Sequence, residues 1–384
     1  MRIVHIITSL ETGGAEQALF ELVRGMQGTR FETSVVGLGS DGAIAERIRA
    51  LGVPVLVMGM APTRPDLFAL GKLVGWLQET TPALVQTWMY HADLLGGYAS
   101  RAAGVPRLVW GIHHADLSPR NNKWTTLLVA RLCARLSRRW PDRIISPSRA
   151  ALQAHTRLGY ASQKFIHIPN GFDLARFQPD PQTRAAVRKA LGLAQDVPLI
   201  GMAARFHPLK DHVTFIEAAR LLSREMPRVH YLLCGKGVDW QNPALVTRIG
   251  DAGLTGQFHL LGLRSDVPNI FNALDIGTLT SLSEAFPSVV GEMMASGLPC
   301  VVTDAGDAAE ILGETGQVVP VGDAAAIADA WRDLFRKSLA ERQALGAAAR
   351  RRVLEEFSIR RMVSRYQALY LSLTTLEGEQ NHKN

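Results

Sequence analysis

Long apolar runs are missing from this sequence: nowhere do the ~20 uninterrupted apolar residues of a membrane span occur. The opening MRIVHIITSL carries one basic residue and an apolar stretch too short for a signal-peptide core. It runs into a glycine turn with no cleavage pattern, so no secretory leader is expected. Cysteine is scarce. Cys133, Cys234 and Cys300 are far apart, odd in number and set among apolar neighbours, which fits buried thiols rather than disulfides or metal ligands. Low-complexity stretches and fixed-period repeats are absent as well, so disorder is expected only in the polar tail Glu377–Asn384. These absences together point to a globular protein that folds in the cytoplasm, with peripheral attachment to the inner membrane face left open.

What is present is a 384-residue chain with 47% hydrophobic and 20% charged residues, long enough for two domains. Residues 1–180 hold 20 Lys and Arg against 13 Asp and Glu, so the whole net charge of +7 lies in the first half. A basic face of that kind suits a phosphorylated acceptor, an anionic membrane surface or nucleic acid. Short β-branched runs alternate with amphipathic stretches, from a strand at Arg2–Ile7 and a helix at Ala15–Met26 to a strand at Arg143–Pro147. Strands of this type, without polar alternation, belong to a parallel sheet covered on both faces. IPNGFDLARFQPDPQT, Ile168–Thr183, then reads as a linker, with Asn170 and Gly171 suited to positive φ and Phe177 as an anchor. After it the α/β rhythm restarts at a strand over Leu199–Ala203. Two doubly wound Rossmann-like domains facing a central cleft follow from this pattern, with ligands at the carboxyl ends of the strands.

The most informative stretch is SLSEAFPSVVGEMMASGLPCVVTD, Ser281–Asp304. Pro287 and Ser288 start a helix over Ser288–Ala295, and Gly297 and Pro299 stop it before the next strand. Glu284 then sits on the loop before the helix and Glu292 on its second turn. The N–H groups of Ser288 and Val289 offer a diphosphate the positive helix end, and a carboxylate on either side could hold the two sugars of a nucleotide-sugar. Spacing alone favours a capping carboxylate and an exposed helix glutamate over such a donor clamp. In its strand–loop–helix–Gly–x–Pro–strand context, however, this E-x7-E stretch resembles retaining glycosyltransferases of family 4, the glycosyl transferases group 1, and the resemblance covers almost the whole chain. It implies the GT-B fold, with Glu284 by the donor sugar, Glu292 on the nucleotide ribose, and Phe286 and Pro287 completing the donor loop. Ala285 stands where the family has Gly.

LIGMAARFHPLKDH, Leu199–His212, brings Arg205 and Lys210 to the end of a strand, where two cations would neutralise a diphosphate leaving group without metal. Two solvated loop cations would look the same. The resemblance favours pyrophosphate binding, although Ala204 and Asp211 replace family glycines. In TSLETGGAEQAL, Gly13 and Gly14 open the first helix, and the resemblance brings Gly14 to the donor diphosphate and sugar. That loop lacks G-x-G-x-x-G and G-x-x-x-x-G-K-[ST], which argues against nicotinamide and P-loop readings. VWGIHHADLS sets His113 and His114 just after a strand, and the family has a functional histidine near the donor sugar here. His113, immediately after the strand, is the candidate. No second ligand cluster stands near the His-His-x-Asp group, so no metal and no cofactor is expected. GLRSDVP, Gly262–Pro268, is similar to a family loop on which the nucleotide base rests, so the resemblance sets Leu263 and Arg264 beside the base, while Gly235-Lys236-Gly237 is a family-like turn that fits a structural or a donor-contact role equally.

The expected domains are 1–170, acceptor-side, with a last helix from about 359–384 crossing back, and 171–358, donor-binding. The expected activity is that of a retaining, hexosyltransferase-type enzyme using a nucleotide-diphosphate sugar, UDP by family frequency. Its partners would be that donor, a saccharide or lipid-linked acceptor of surface-polysaccharide synthesis and an anionic membrane surface, with no nucleic acid. Helix Trp124–Arg138 with its flanks, which mixes Trp124, Leu127, Leu128 and Leu132 with Lys123, Arg131, Arg135, Arg138, Arg139 and Arg143, suits such a surface, and also suits a solvated helix packed on the sheet. A UDP-sugar 2-epimerase of the same fold and a non-catalytic carbohydrate- or nucleic-acid-binding protein are the alternatives.

Overall fold

A computed structural model describes residues 1–11, 13–60, 66–119 and 122–380. It divides into two compact units, Met1–Gly171 with Ile359–Asn384, and Phe172–Ser358.

Unit 1 runs β1 (Arg2–Ile7), α1 (Gly14–Gly25), β2 (Glu32–Gly37), α2 (Ala43–Arg49), β3 (Val55–Val57), α3 (Leu67–Thr80), β4 (Leu84–Trp88), α4 (Tyr90–Ala102), β5 (Arg107–Gly111), α5 (Trp124–Leu136), β6 (Arg143–Ser146), α6 (Arg149–Leu158) and β7 (Phe165–His167). Unit 2 runs α7 (Pro181–Ala190), β8 (Leu199–Ala203), α8 (His212–Ser223), β9 (His230–Cys234), α9 (Pro243–Asp251), β10 (Phe258–Leu260), α10 (Val267–Ala273), β11 (Ile276–Leu279), α11 (Ser288–Ala295), β12 (Cys300–Thr303), α12 (Ala308–Leu312), β13 (Gln317–Val319), α13 (Ala324–Arg336) and α14 (Leu339–Glu356). A last helix, α15 (Ile359–Gln380), belongs to unit 1.

Both sheets are parallel, in the orders β3-β2-β1-β4-β5-β6-β7 and β10-β9-β8-β11-β12-β13. Helices cover both faces, which is why β1 and β4 are buried along nearly their whole length. In unit 1 one face is filled by α1, α2 and α15, the other by α3, α4 and α5. The strand order reverses between β1 and β4 and again between β8 and β11, and loops at the carboxyl ends beside such a reversal form a crevice.

The linker expectation needs correction. Asp180 accepts hydrogen bonds from the Gln182 and Thr183 N–H groups with Pro181 at the first helical position, so PDPQT starts α7. Phe172 and Phe177 lie in unit 2's core, and neither Asn170 nor Gly171 has positive φ: there the chain leads into a bridge between Phe172 and Ser358. The tail expected to lack order is helical as far as Gln380, and residues 381–384 lie outside the described ones.

Candidate active site

In unit 2 the two loops at the strand-order reversal are fastened to each other. The Thr280 hydroxyl lies 2.9 Å from the Lys210 carbonyl oxygen and 3.0 Å from that of Asp211, and the Leu282 N–H donates to the Leu209 carbonyl at 2.9 Å. From the next strand, the Thr303 hydroxyl donates to the Ser281 carbonyl at 2.7 Å and the Asp307 N–H to the Ala285 carbonyl at 3.0 Å. Gly306, at φ +61°, lies so close under the Glu284 and Ala285 carbonyls that a side chain there would strike them.

Held this way, Lys210 pairs with Glu284 Oε1, and the Ser281 hydroxyl donates to the same oxygen at 2.6 Å. The other carboxylate oxygen has no partner among the described residues. Arg205 is exposed and likewise has no ion-pair partner among them. Asp211, where the family resemblance puts glycine, has φ +47°, the left-handed region glycine favours, and its carboxylate accepts from the Thr214 N–H at 3.2 Å. Ala204, the other replaced glycine, lies against Gly235, whose φ of +147° and contact with the Ala204 carbonyl leave no room for a side chain.

Pro287 precedes α11 and caps it with no side-chain hydrogen bond, so the Ser288 and Val289 N–H groups point out of the helix without acceptors among the described residues. Glu292, one turn on, is half-buried rather than exposed. Val290, Gly291, Met293 and Met294 around it are buried, and desolvation pushes its carboxyl up to about 7, with Arg176 pulling the other way. Phe286 stacks on Phe172 with ring centres 5.9 Å apart, so its half-buried ring packs against the core. Leu263 is 76% exposed on its loop, while Arg264 makes two 2.8 Å bonds to Asp266.

In unit 1, Gly14 opens α1, and a β-carbon there would meet nothing within 4 Å. A G-x-G-x-x-G run does occur one strand later, Gly37–Gly42, and its glycines serve packing. Gly39 lies against the Thr8 carbonyl and Gly42 against the backbone of Leu10 and Glu11, so the β2–α2 loop supports the β1–α1 loop. His113 follows β5. Its ring stacks on Trp88, its Nε2 is buried without a partner among the described residues, and burial lowers its pKa to about 4. His114 is engaged elsewhere, with Nε2 3.2 Å from Asn122 Oδ1. Met89, just after Trp88, has φ +74°, an outlier of the kind that clusters at functional sites.

Sequence reading missed Trp88, Met89, Arg176 and Ser281. Ser281 could have been found, three residues before Glu284 on the same loop; within unit 2 Arg176 comes near Glu292, and within unit 1 Trp88, with Met89 after it, comes against His113, only through folding.

Residues 197–337 match the family described as glycosyl transferases group 1, and residues 12–176 match glycosyltransferase family 4. The chain belongs to glycosyltransferase family 4. Among relatives of this glycosyltransferase, the UDP-Gal:alpha-D-GlcNAc-diphosphoundecaprenol alpha-1,3-galactosyltransferase of Escherichia coli is 29% identical over 262 residues, 67% of each chain. The putative glycosyltransferase EpsF of Bacillus subtilis (strain 168) is 26% identical over 308 residues, 79% of each chain. The crystal structure of Anabaena HepE in complex with UDP superposes with a TM-score of 0.85 at 24% identity, over 97% of this chain and 100% of that one. The protein is therefore a transferase enzyme with the GT-B fold.

Proposed function

We propose that this glycosyltransferase transfers a hexosyl unit, with retention at the anomeric carbon, from a UDP-sugar to a hydroxyl of a lipid-linked or surface-polysaccharide saccharide at the cytoplasmic face of the membrane. One observation carries the donor half: cations, a half-satisfied carboxylate and an uncapped helix end converge on the β8/β11 reversal. Arg205, Lys210 and the Ser288 and Val289 N–H groups would receive the diphosphate, supplying from protein groups the positive charge a departing diphosphate needs. Glu284, through its unpartnered oxygen, would accept from a sugar hydroxyl, and Glu292 from the ribose. Leu263 and Arg264 would border the base, with Phe286 and Pro287 shaping the loop by backbone. From unit 1, Gly14 and His113 are included on their own geometry.

In the reaction the bond from the anomeric carbon to the phosphate oxygen breaks as that to the acceptor oxygen forms on the same face. The departing phosphate oxygen takes the acceptor proton. UDP is favoured because the E. coli relative is named for UDP-Gal and the Anabaena structure holds UDP. For the acceptor, the same relative is named for a diphosphoundecaprenol-linked sugar.

Incubation with a panel of UDP- and GDP-hexoses, with and without a saccharide lipid acceptor, tests this by mass spectrometry and by NMR of the product anomer. Release of UDP with an α-linked product from an α-linked donor is expected. Epimerised UDP-sugar without acceptor, or no turnover of any donor, would defeat the proposal.

A further inference from the structure

The groups assigned to the transfer reaction leave one surface of unit 1 unexplained. Helix α5 turns Leu127, Ala130, Cys133 and Ala134 inward, yet it also carries Trp124, Leu128 and Leu132, one stripe at four-residue spacing, 75%, 55% and 42% exposed. An exposed apolar stripe of this size, flanked by basic side chains and facing away from the core, calls for a partner. Beside it lies an open groove of about 810 Å³ whose walls include Leu128, Leu132 and Leu158 with Arg131, Arg135 and Arg138.

Charge decides what the partner is. Between residues 117 and 172 there are 10 Lys and Arg and one acidic residue, Asp142. Asp142 is already engaged, by Arg107 at 3.6 Å and by the Leu108 N–H at 2.8 Å. The side chains of Lys123, Arg131, Arg135, Arg138 and Arg139 have no acidic partner among the described residues. Helix α3 packs on α4 and α4 on α5, and all three begin at the carboxyl edge of the same sheet. Leu67 and Phe68, 78% and 72% exposed at the start of α3, therefore lie on the same edge as Trp124.

We infer that this α3–α5 edge is a docking surface for an anionic phospholipid bilayer, with Trp124, Leu128 and Leu132 entering the interface and the surrounding arginines on the headgroup phosphates. A polyanion without an apolar phase would satisfy the cations and leave the stripe in water. A bilayer satisfies both, as interfacial helices with basic flanks require. The docking surface is independent of the donor assignment, which rests on unit 2.

Co-sedimentation of the full chain with vesicles of phosphatidylcholine alone, and of phosphatidylcholine with phosphatidylglycerol at 70:30, tests it. Binding to the anionic vesicles at low salt, falling as salt rises, is expected. Arg131→Gln/Arg135→Gln should weaken partitioning about twenty-five-fold, from about five-fold per arginine. Leu128→Ser/Leu132→Ser should weaken it by at least about ten-fold. All four side chains are exposed, so thermal unfolding and UDP-hexose binding should match the wild type, which separates a failed docking surface from a failed donor site. Absence of wild-type binding at low salt would overturn the inference. So would equal binding to a duplex DNA fragment and to vesicles with the serine variant unaffected, since that result assigns the face to polyanions.

Discussion

The imidazole of His113 lies nearly parallel to the indole of Trp88, ring centres 4.9 Å and planes 24° apart. Trp88 is fully buried and is itself fixed from two sides. Tyr366 of α15 stacks on it at 6.3 Å, and its indole N–H lies 3.4 Å from His5 Nδ1. The last helix of the chain thus reaches the candidate catalytic histidine through one aromatic ring. Burial, to which the Trp88 ring contributes one wall, holds His113 as the neutral imidazole at physiological pH.

Trp88→Leu should therefore act on the pH profile as well as on stability. Removing the ring admits water to His113, and its pKa should rise from about 4 toward the ordinary 6.5. The acid limb of the rate profile should move up with it. Unfolding stability should fall by about 2–3 kcal/mol from the lost volume. Trp88→Phe, which keeps a stacking face, should lose less on both counts. An unchanged acid limb in Trp88→Leu would remove His113 from the reaction.

Lys210 and Glu284 should behave as a unit. Their side chains are 23% and 12% exposed, and Lys210→Met leaves the carboxylate with the Ser281 hydroxyl alone. A cost of about 1–3 kcal/mol in urea unfolding is expected, together with loss of donor binding. Adding Glu284→Gln to Lys210→Met should restore most of the stability and none of the turnover. Recovery of turnover in the double variant would show that the lysine only balances the glutamate.

Glu292 makes donor affinity depend on pH near neutrality. Its carboxyl is raised to about 7 from an ordinary 4.5, so below that pH it is protonated and a poorer acceptor for ribose hydroxyls. Donor affinity should rise from pH 6 to 8 in isothermal titration. Because the folded protein holds the proton more tightly than the unfolded chain, this group's effect on stability runs the other way, declining as pH climbs from 4.5 through 7. Glu292→Gln should bind donor more weakly at pH 8 and show no such rise.

The elements that form the donor loops were legible because each is marked locally. Leu199–Ala203 is a short apolar run and Ser288–Ala295 a Pro-started helix closed by glycine, and the structure has both at those bounds. Elements went unread where one signal has two meanings. Asp180-Pro181 is turn chemistry and also a helix cap, as is Asn242-Pro243 before α9. The Ser338/Glu341 capping box that starts α14 is, by contrast, a local signal carried by the sequence itself. Trp88 and His113 are brought together by neighbouring strands, and the burial of Glu292 comes from residues packed around α11, so neither was available to local reading.

Glycine offers the sharpest separation of folding from function, because two site glycines should respond in opposite ways. Gly306 has φ +61° and no room for a β-carbon under the Glu284 and Ala285 carbonyls. Gly306→Ala should cost at least about 1 kcal/mol of stability and move the loop that presents Glu284 to Lys210. Gly14 heads a helix, has no positive φ, and its substituent would meet open space. Gly14→Ala should thus be neutral to about 1 kcal/mol stabilising in thermal unfolding. If the backbone at Gly14 approaches the donor closely, the added methyl occupies that space, and KM for the UDP-sugar should rise about ten-fold or more while the melting temperature holds or increases. A Gly14→Ala enzyme with wild-type KM would remove this loop from the donor site and leave Gly14 as a helix start alone.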